Sequence, residues 1–81
     1  MITVIFGRSS SGKTYHKQAF KKHYGCKRIV DGWSSHHTNH PLLPLRDGDL
    51  VLTNEMPPYR GLERARVIPI GSAKRDAGVL Q

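Results

Sequence analysis

The stretch Ile2-Thr3-Val4-Ile5-Phe6-Gly7-Arg8-Ser9-Ser10-Ser11-Gly12-Lys13-Thr14 decides the fold, and it lies near the start of a chain of 81 residues. Its first five residues form a nearly unbroken run of β-branched and aromatic side chains, which is typical of a strand buried on both faces of a parallel sheet. A turn rich in glycine and serine follows this run. The sequence therefore predicts a buried strand that ends in a flexible turn.

The residues after the turn carry helix signals. Residues 13–24 contain no glycine or proline, and His16, Phe20 and Tyr24 recur at a spacing of four, which places them on one helical face. Gly25 then supplies a left-handed stop for the helix. A short extended run at residues 28–30 follows, so this part of the chain predicts a strand–helix–strand unit with parallel strands.

Two further extended runs lie in the second half of the chain. Leu50–Thr53 is largely apolar and follows a cluster of turn residues, which predicts a third buried strand. Residues 66–70 form the last run, and because Pro69 cannot donate a hydrogen bond to a neighbouring strand, we expect this run at the edge of the sheet. Residues 33–49 predict a loop with at most a short helix, and residues 59–65 predict up to two helical turns.

Together these elements predict an α/β fold. We expect a three-layer α/β/α domain with a parallel sheet of about four strands in the order 2-3-1-4. So short a chain encloses one core, which we assign to residues 1–71, and residues 72–81 have little apolar content and predict a flexible tail. Since a domain of this size gains limited stability from apolar burial, a homo-oligomer is one expected source of support.

Positive charge is concentrated in the first third of the chain. The formal net charge is +7, and residues 1–28 contain seven Lys or Arg and no acid, whereas residues 29–81 contain six of each. A polyphosphate is the simplest partner for this excess, and a nucleic-acid backbone is the second candidate. The initial apolar run is too short to span a membrane, so no membrane partner is expected. The single cysteine, Cys26, fits a reducing cytoplasm.

Residues Gly7 to Thr14 match the pattern G-x-x-x-x-G-K-[ST] at every fixed position. Glycines let backbone N–H groups turn toward phosphate oxygens, Lys13 adds a positive charge, and Thr14 carries a hydroxyl that can bind Mg²⁺. The helix that follows directs its unpaired amides at the same anion. The predicted phosphate-binding residues are Gly7, Arg8, Ser9, Ser10, Ser11, Gly12, Lys13 and Thr14.

In this motif the chain resembles the P-loop NTPase superfamily, whose phosphate loop, the Walker A motif, follows the first strand of a parallel sheet. The matched motif covers eight residues, and a compatible order of elements extends to Ile70. The resemblance implies that residues 1–71 bind a nucleoside triphosphate, with ATP the first candidate, and that Thr14 binds Mg²⁺. It also implies slow ATP hydrolysis, with Lys13 and Glu55 as the catalytic residues.

The chain departs from the family pattern after the third predicted strand. Asn54 stands where a metal-binding aspartate is expected, and an amide is a weaker partner for Mg²⁺ than a carboxylate. Glu55 is the nearest carboxylate, either for activating water or as an ordinary surface acid. Asp31, after the second strand, could meet a phosphate acceptor or form a turn with Gly32.

Other residues carry weaker indications of a role. A guanidinium against the γ-phosphate could come from Arg60, Arg64 or Arg66, and residues 71–73 could contact the base. His36, His37 and His40 resemble a metal cluster in their spacing. No cysteine or acid completes that set, however, and Pro41 disfavours a helix there, so no metal site is predicted and the role of these histidines stays open.

Three hypotheses for the function follow from these observations. The first is an ATP-binding protein that hydrolyses ATP slowly; a full kinase is disfavoured because so short a chain has little room for a lid and an acceptor-binding segment. The second is a non-catalytic, nucleotide-responsive module that binds a protein partner or DNA. The third is a nucleic-acid binder that uses the basic first helix. The choice between ATP and GTP stays open.

Overall fold

The computed structural model describes residues 1–8, 11–36 and 40–79. Within these ranges the chain forms β1 (Thr3–Phe6), α1 (Lys17–His23), β2 (Arg28–Asp31), β3 (Asp49–Thr53), β4 (Arg66–Pro69) and α2 (Ile70–Ala77). The four strands are all parallel and pair in the order β2-β3-β1-β4. This strand order confirms the prediction from the sequence, including the position of the proline-containing β4 at an edge.

The centre of the sheet is the pairing of β1 with β3. Ile5 of β1 stands opposite Leu52 of β3, and every residue of β3 is buried. A strand buried on both faces has no polar side to present to water, which explains why both runs are nearly continuous in apolar residues. The two most recognisable strands in the sequence therefore form the middle of the sheet.

The two faces of the sheet are covered in different ways. On one face α1 and α2 lie against the strands, and the buried cluster there consists of Ile5, Phe20, Leu50, Leu52 and Ala73. On the other face it consists of Val4, Val30, Trp33, Val51 and Tyr59. Within the described residues, loops rather than helices cover this second face. The expected third, helical layer is therefore not found there, because these connections contain four prolines that interrupt helices.

Helix α1 is shorter than the sequence predicts. It begins at Lys17, whereas residues 13–16 form turns in which the His16 amide donates to the Gly12 carbonyl and the Lys17 amide to the Thr14 carbonyl. No side chain caps this end of the helix, and its first turn has no acid. The residues that would form the first helical turns therefore remain as an irregular connection from the motif to the helix.

Helix α2 covers much of residues 72–81, for which the sequence predicts a flexible tail, and it begins at Ile70, which the sequence places in the last strand. Ala73 is fully buried against the sheet, and the Tyr24 hydroxyl donates a 3.0 Å hydrogen bond to Asp76. Gly78 ends the helix in the left-handed conformation, with φ of +70°. Ile70, Ala73 and Ala77 form a narrow helical stripe, which is a weak signal because alanine adds little to the apolar content of a sequence.

A buried ion pair ties β2 to β3 at the amino-terminal edge of the sheet. Asp49 is 2% exposed, and its carboxylate accepts hydrogen bonds from Arg28 Nε at 2.8 Å and Nη2 at 2.6 Å and from the Arg46 amide at 2.8 Å. Burial alone would raise the pKa of Asp49, but these hydrogen bonds outweigh it and lower the pKa below the ordinary 3.8. The charged form of Asp49 therefore stabilises the fold.

The pH dependence of stability tests this ion pair. Because the folded-state pKa of Asp49 lies below its unfolded value, its contribution is complete at neutral pH and is lost as the pH falls through the folded-state pKa, below 3.8. We expect Asp49→Asn to lower the free energy of unfolding, measured in urea at pH 7. Below the folded-state pKa of Asp49, the difference from wild type should be smaller. The exposed Asp47→Asn is the control and should change stability by no more than about 0.5 kcal/mol.

A pair of substitutions in α2 tests whether this segment belongs to the folded domain. Ala73→Glu places a charge in the core and is expected to lower the free energy of unfolding by more than about 2 kcal/mol. Gly71→Ala lies at an exposed helical position with open space around it and should raise it by about 0.5 kcal/mol. Thermal and urea denaturation measure both changes. If both variants were as stable as wild type, α2 would not be packed against the sheet.

Candidate phosphate-binding site

The predicted functional residues converge at one edge of the sheet. Since all four strands are parallel, their carboxyl ends lie together, and a cleft of about 850 Å³ opens there. Its walls come from three segments of the chain: residues 12–15 at the end of the motif and just after it, residues 31–34 and 36 from the end of β2 onward, and residues 52–55 at the end of β3 and just after it. The edge therefore brings the motif, Asp31 and Glu55 around a common space.

Lys13 is the buried cation of this edge. Its side chain is 7% exposed, and Nζ donates hydrogen bonds to the carbonyls of Gly7 and Arg8, both at 2.7 Å, and to Ser11 Oγ at 3.2 Å. Burial lowers the pKa of Lys13 below the ordinary lysine value, and the nearby charge of Asp31 offsets this only in part. The loop thus surrounds an ammonium group with its own oxygen atoms.

The backbone of the motif turns sharply around this ammonium. Gly12 has φ of +94°, a conformation that favours glycine. The Ser11 amide donates to the Arg8 carbonyl at 3.2 Å and is already occupied. For the amides of Gly12, Lys13 and Thr14, no acceptor occurs among the described residues. Arg8 is exposed beside the loop, and Ser9 and Ser10, also predicted to bind phosphate, lie outside the described residues.

Thr14 and Asp31 meet across the cleft. Thr14 Oγ1 donates a 2.9 Å hydrogen bond to Asp31 Oδ2, and Lys17 Nζ lies 4.0 Å from the same oxygen. Mg²⁺ in nucleotide sites is usually bound by one or two protein oxygens, with waters and phosphates completing the shell. A hydroxyl and a carboxylate at the mouth of an open cleft fit that donor set, so these two residues could hold the ion.

Glu55 lies in the cleft but is tied to the opposite wall. Its carboxylate accepts hydrogen bonds from the Ser35 hydroxyl, from the Ser35 amide at 3.0 Å and from the Ser34 hydroxyl at 3.3 Å. The bonds from Ser35, as the main cause, lower the pKa of Glu55. Glu55 therefore stays ionised at neutral pH and joins the end of β3 to the loop after β2.

Two histidines of the triplet lie near this edge in different roles. His36 is exposed and lines the cleft. His40 accepts from the Leu42 amide through Nδ1, at 3.1 Å, and its Nε2 lies 2.8 Å from the Asp31 carbonyl, where it acts as the donor. His37 lies outside the described residues. The described part of the chain contains no group of three or more His, Cys, Asp or Glu residues that could hold a metal ion.

The suggestion that Arg66 contacts a γ-phosphate within its own chain is wrong. Arg66 begins β4 at the opposite edge of the sheet, where it donates to Thr3 Oγ1 at 2.9 Å and lies 4.8 Å from the centre of the Tyr24 ring. It therefore ties the sheet to α1. Arg60 and Arg64 are exposed in the loop before β4.

Sequence reasoning missed two features of the site. The sequence predicts Asp31 as an acceptor contact or a turn residue, not as the partner of Thr14. The approach of α2 to the loop was not expected: Ile70 packs so closely on Gly7 that a methyl group added to Gly7 would lie 2.5 Å from Ile70 Cγ2. Both contacts join different elements of the fold, and the only available signal was that Gly7, Asp31 and Ile70 each lie at the carboxyl end of a strand.

Comparison of the chain with models of protein families, with curated proteins and with solved structures finds no match. In the parts of the chain that the structure describes, no helix is long and apolar enough to cross a membrane. The geometry and chemistry of the cleft are therefore the basis for inferring the function of this chain.

The titration of Lys13 tests the geometry of the loop. Because burial lowers its pKa, we expect one lysine ε-amino group to lose its proton below the ordinary value of 10.5. NMR of the lysine side chains over a pH series measures this, and the early-titrating signal should disappear in Lys13→Arg. Lys22 is exposed, so Lys22→Arg is the matched control and should leave that signal in place. An early-titrating signal that survives in Lys13→Arg would contradict the burial of this ammonium.

Proposed function

We propose that this chain binds the phosphates of a nucleoside triphosphate, with ATP the first candidate, together with Mg²⁺ in the cleft at the carboxyl edge of its sheet. The observation that carries the proposal is the buried Lys13 ammonium, enclosed by a glycine-rich loop between the central strand and the first helix. A lysine held in this way is available to bind an anion. Phosphate oxygens can replace the loop carbonyls as its partners.

The loop supplies two kinds of contact to the bound phosphates. The amides of Gly12, Lys13 and Thr14 have no acceptor among the described residues, so they can donate to phosphate oxygens. Lys13 must turn from the Gly7 and Arg8 carbonyls toward the ligand, which costs hydrogen bonds that the phosphates restore with negatively charged acceptors. Binding a dianionic or trianionic group also compensates the excess positive charge of the first third of the chain.

Thr14 and Asp31 are the residues that would hold the metal ion. Asp31 supplies the carboxylate that Asn54 lacks, and its hydrogen bond to Thr14 keeps both oxygens at the edge of the loop. Mg²⁺, when bound, neutralises charge on the β- and γ-phosphates and orients them. Before Mg²⁺ binds, the positive charge of Lys17 partly offsets the negative charge of the nearby Asp31 carboxylate.

In this proposal, hydrolysis is slow. Water attacks the γ-phosphorus, the bond to the β–γ bridging oxygen breaks, ADP leaves, and the proton of the water passes to Glu55 or to solvent. A general base works best with a pKa near the working pH, whereas the Ser35 hydrogen bonds lower the pKa of Glu55. Positioning and electrostatics at Lys13 are then the main catalytic contributions.

The engagement of Glu55 also favours a second candidate, the non-catalytic module. Because the Glu55 carboxylate joins two loops of the cleft, a bound nucleotide could rearrange this wall without being hydrolysed. In such a protein, nucleotide binding would change the loops after β2 and β3, and these loops would contact a protein partner or DNA. A reducing cytoplasm, where nucleotides and Mg²⁺ are plentiful, is the expected setting for either candidate. Self-association stays a prediction from the sequence.

Calorimetry with ATP, GTP and ADP in the presence of Mg²⁺ tests the proposal. Lys13→Ala removes a charged hydrogen-bond donor and is expected to weaken ATP binding by about 10- to 100-fold. Asp31→Asn should reduce the gain in affinity that Mg²⁺ gives while changing metal-free binding little. Lys22→Ala, an exposed lysine of α1, is the matched control and should bind within about twofold of wild type.

Phosphate release by the same proteins separates the two candidates. Turnover by wild type that Glu55→Gln reduces and Lys13→Ala abolishes would support the hydrolase. Nucleotide binding without turnover would support the module instead. If wild type bound no nucleotide, and Lys13→Ala and Lys22→Ala behaved alike, the proposed function would be wrong.

A further inference from the structure

A second lysine lies against the loop from the side of α2. A methyl group added to Gly12 would lie 3.3 Å from both Cε and Nζ of Lys74, so the ammonium of Lys74 is in the immediate neighbourhood of this glycine. Ile70, one helical turn earlier, is the residue that packs on Gly7. The helix therefore contacts both glycines of the motif, one through an apolar side chain and the other through a cation.

Within the described residues Lys74 has no fixed partner, whereas three of the neighbouring cations do. Lys13 is bonded to loop carbonyls, Lys17 lies near Asp31, and Arg75 donates to Ser72 at 3.1 Å. For the ammonium of Lys74, by contrast, no hydrogen bond or ion pair occurs within residues 1–8, 11–36 and 40–79. Because Lys74 is half-buried, an anion bound beside it would interact with its ammonium more strongly than in open solvent.

A buried nitrogen next to the same glycine gives an independent indication. His16 Nε2 is buried and has no hydrogen-bond partner among the described residues, and the ring carbon bonded to it, Cδ2, would lie 3.3 Å from a methyl group on Gly12. Buried polar atoms are almost always satisfied in folded proteins. An ammonium and an unsatisfied ring nitrogen thus flank one glycine of the loop, and both donate to a phosphate oxygen when Nε2 is the protonated ring nitrogen.

We propose that Lys74 is a second phosphate-binding residue, which acts with Lys13 on the same polyphosphate and makes the site selective for ligands with several phosphates. The two lysines reach the loop from different elements, Lys13 from the motif and Lys74 from α2. A monophosphate offers a single phosphate group to the two lysines, whereas a triphosphate offers enough phosphate groups and charge for both. The inference rests on the proposed function, because it names a further residue of that site.

Calorimetry with MgATP, ADP, AMP and inorganic triphosphate on wild type, Lys74→Gln, Lys74→Arg and Arg75→Gln tests the inference. Arg75 is the adjacent, exposed cation of α2, so Arg75→Gln is the matched control for the loss of one charge. We expect Lys74→Gln to weaken MgATP binding about tenfold and AMP binding less than about twofold. Lys74→Arg should retain most of the affinity, and Arg75→Gln should stay within about twofold of wild type.

The outcomes separate this inference from the proposed function. Equal MgATP affinity in Lys74→Gln and Arg75→Gln, with Lys13→Ala still defective, would overturn the role of Lys74 alone. Binding of inorganic triphosphate but not of nucleotides, with the same dependence on Lys74, would overturn the proposed function and support this inference. No binding of either ligand by wild type would overturn both. Circular dichroism and thermal denaturation verify that Lys74→Gln is folded. If it is not, the MgATP and AMP affinities of Lys74→Arg serve as the test instead.

Discussion

The common direction of the four strands is the constraint on which the candidate site depends. The carboxyl ends of parallel strands lie at one edge, so the motif after β1, Asp31 in β2 and Glu55 after β3 come together although long stretches of sequence separate them. The burial of β1 and β3 on both faces holds this arrangement in register. Loss of that central pairing would separate the walls of the cleft, whatever the local sequence of the loop.

The polar groups at the two edges of the sheet have different uses. At the amino edge, Asp49 pairs with Arg28, and Arg66 bonds to Thr3, so these charged side chains have protein partners and stabilise the fold. At the carboxyl edge, Lys13 is surrounded by carbonyls that a ligand can replace. Arg28 is thus satisfied by the opposite charge of Asp49, while Lys13 of the candidate site is bonded only to neutral oxygens, which bind a cation less strongly than a phosphate does.

The helical layer links the stability of the domain to the same edge. Both helices pack on one face, and α2 contacts the loop through Ile70 while burying Ala73 in the core. A small domain gains limited stability from apolar burial, so a ligand that binds only the folded form adds appreciably to it. Because α2 contacts both the loop and the core, the proposed ligand at the loop would be linked to the core through the packing of this helix.

The sequence alone determined the elements with strong local patterns: the apolar runs of β1 and β3, the edge position imposed by Pro69, and the motif with its adjacent positive charge. It also led to the strand order, since right-handed crossovers leave few arrangements for so short a chain. The sequence did not reveal α2, whose stripe of small residues resembles a polar tail, or the late start of α1, where the motif residues form contacts with carbonyls instead of a helical turn.

Tertiary structure decided which distant residues share the site. Asp31 meets Thr14, Arg66 lies at the opposite edge, Glu55 bonds to Ser35, and Lys74 reaches Gly12. Each of these outcomes depends on strand register and on how the helices pack, which are set by the sum of many weak contacts across the core. Local periodicity records which face of an element is apolar, but it carries no information about which other element that face will meet.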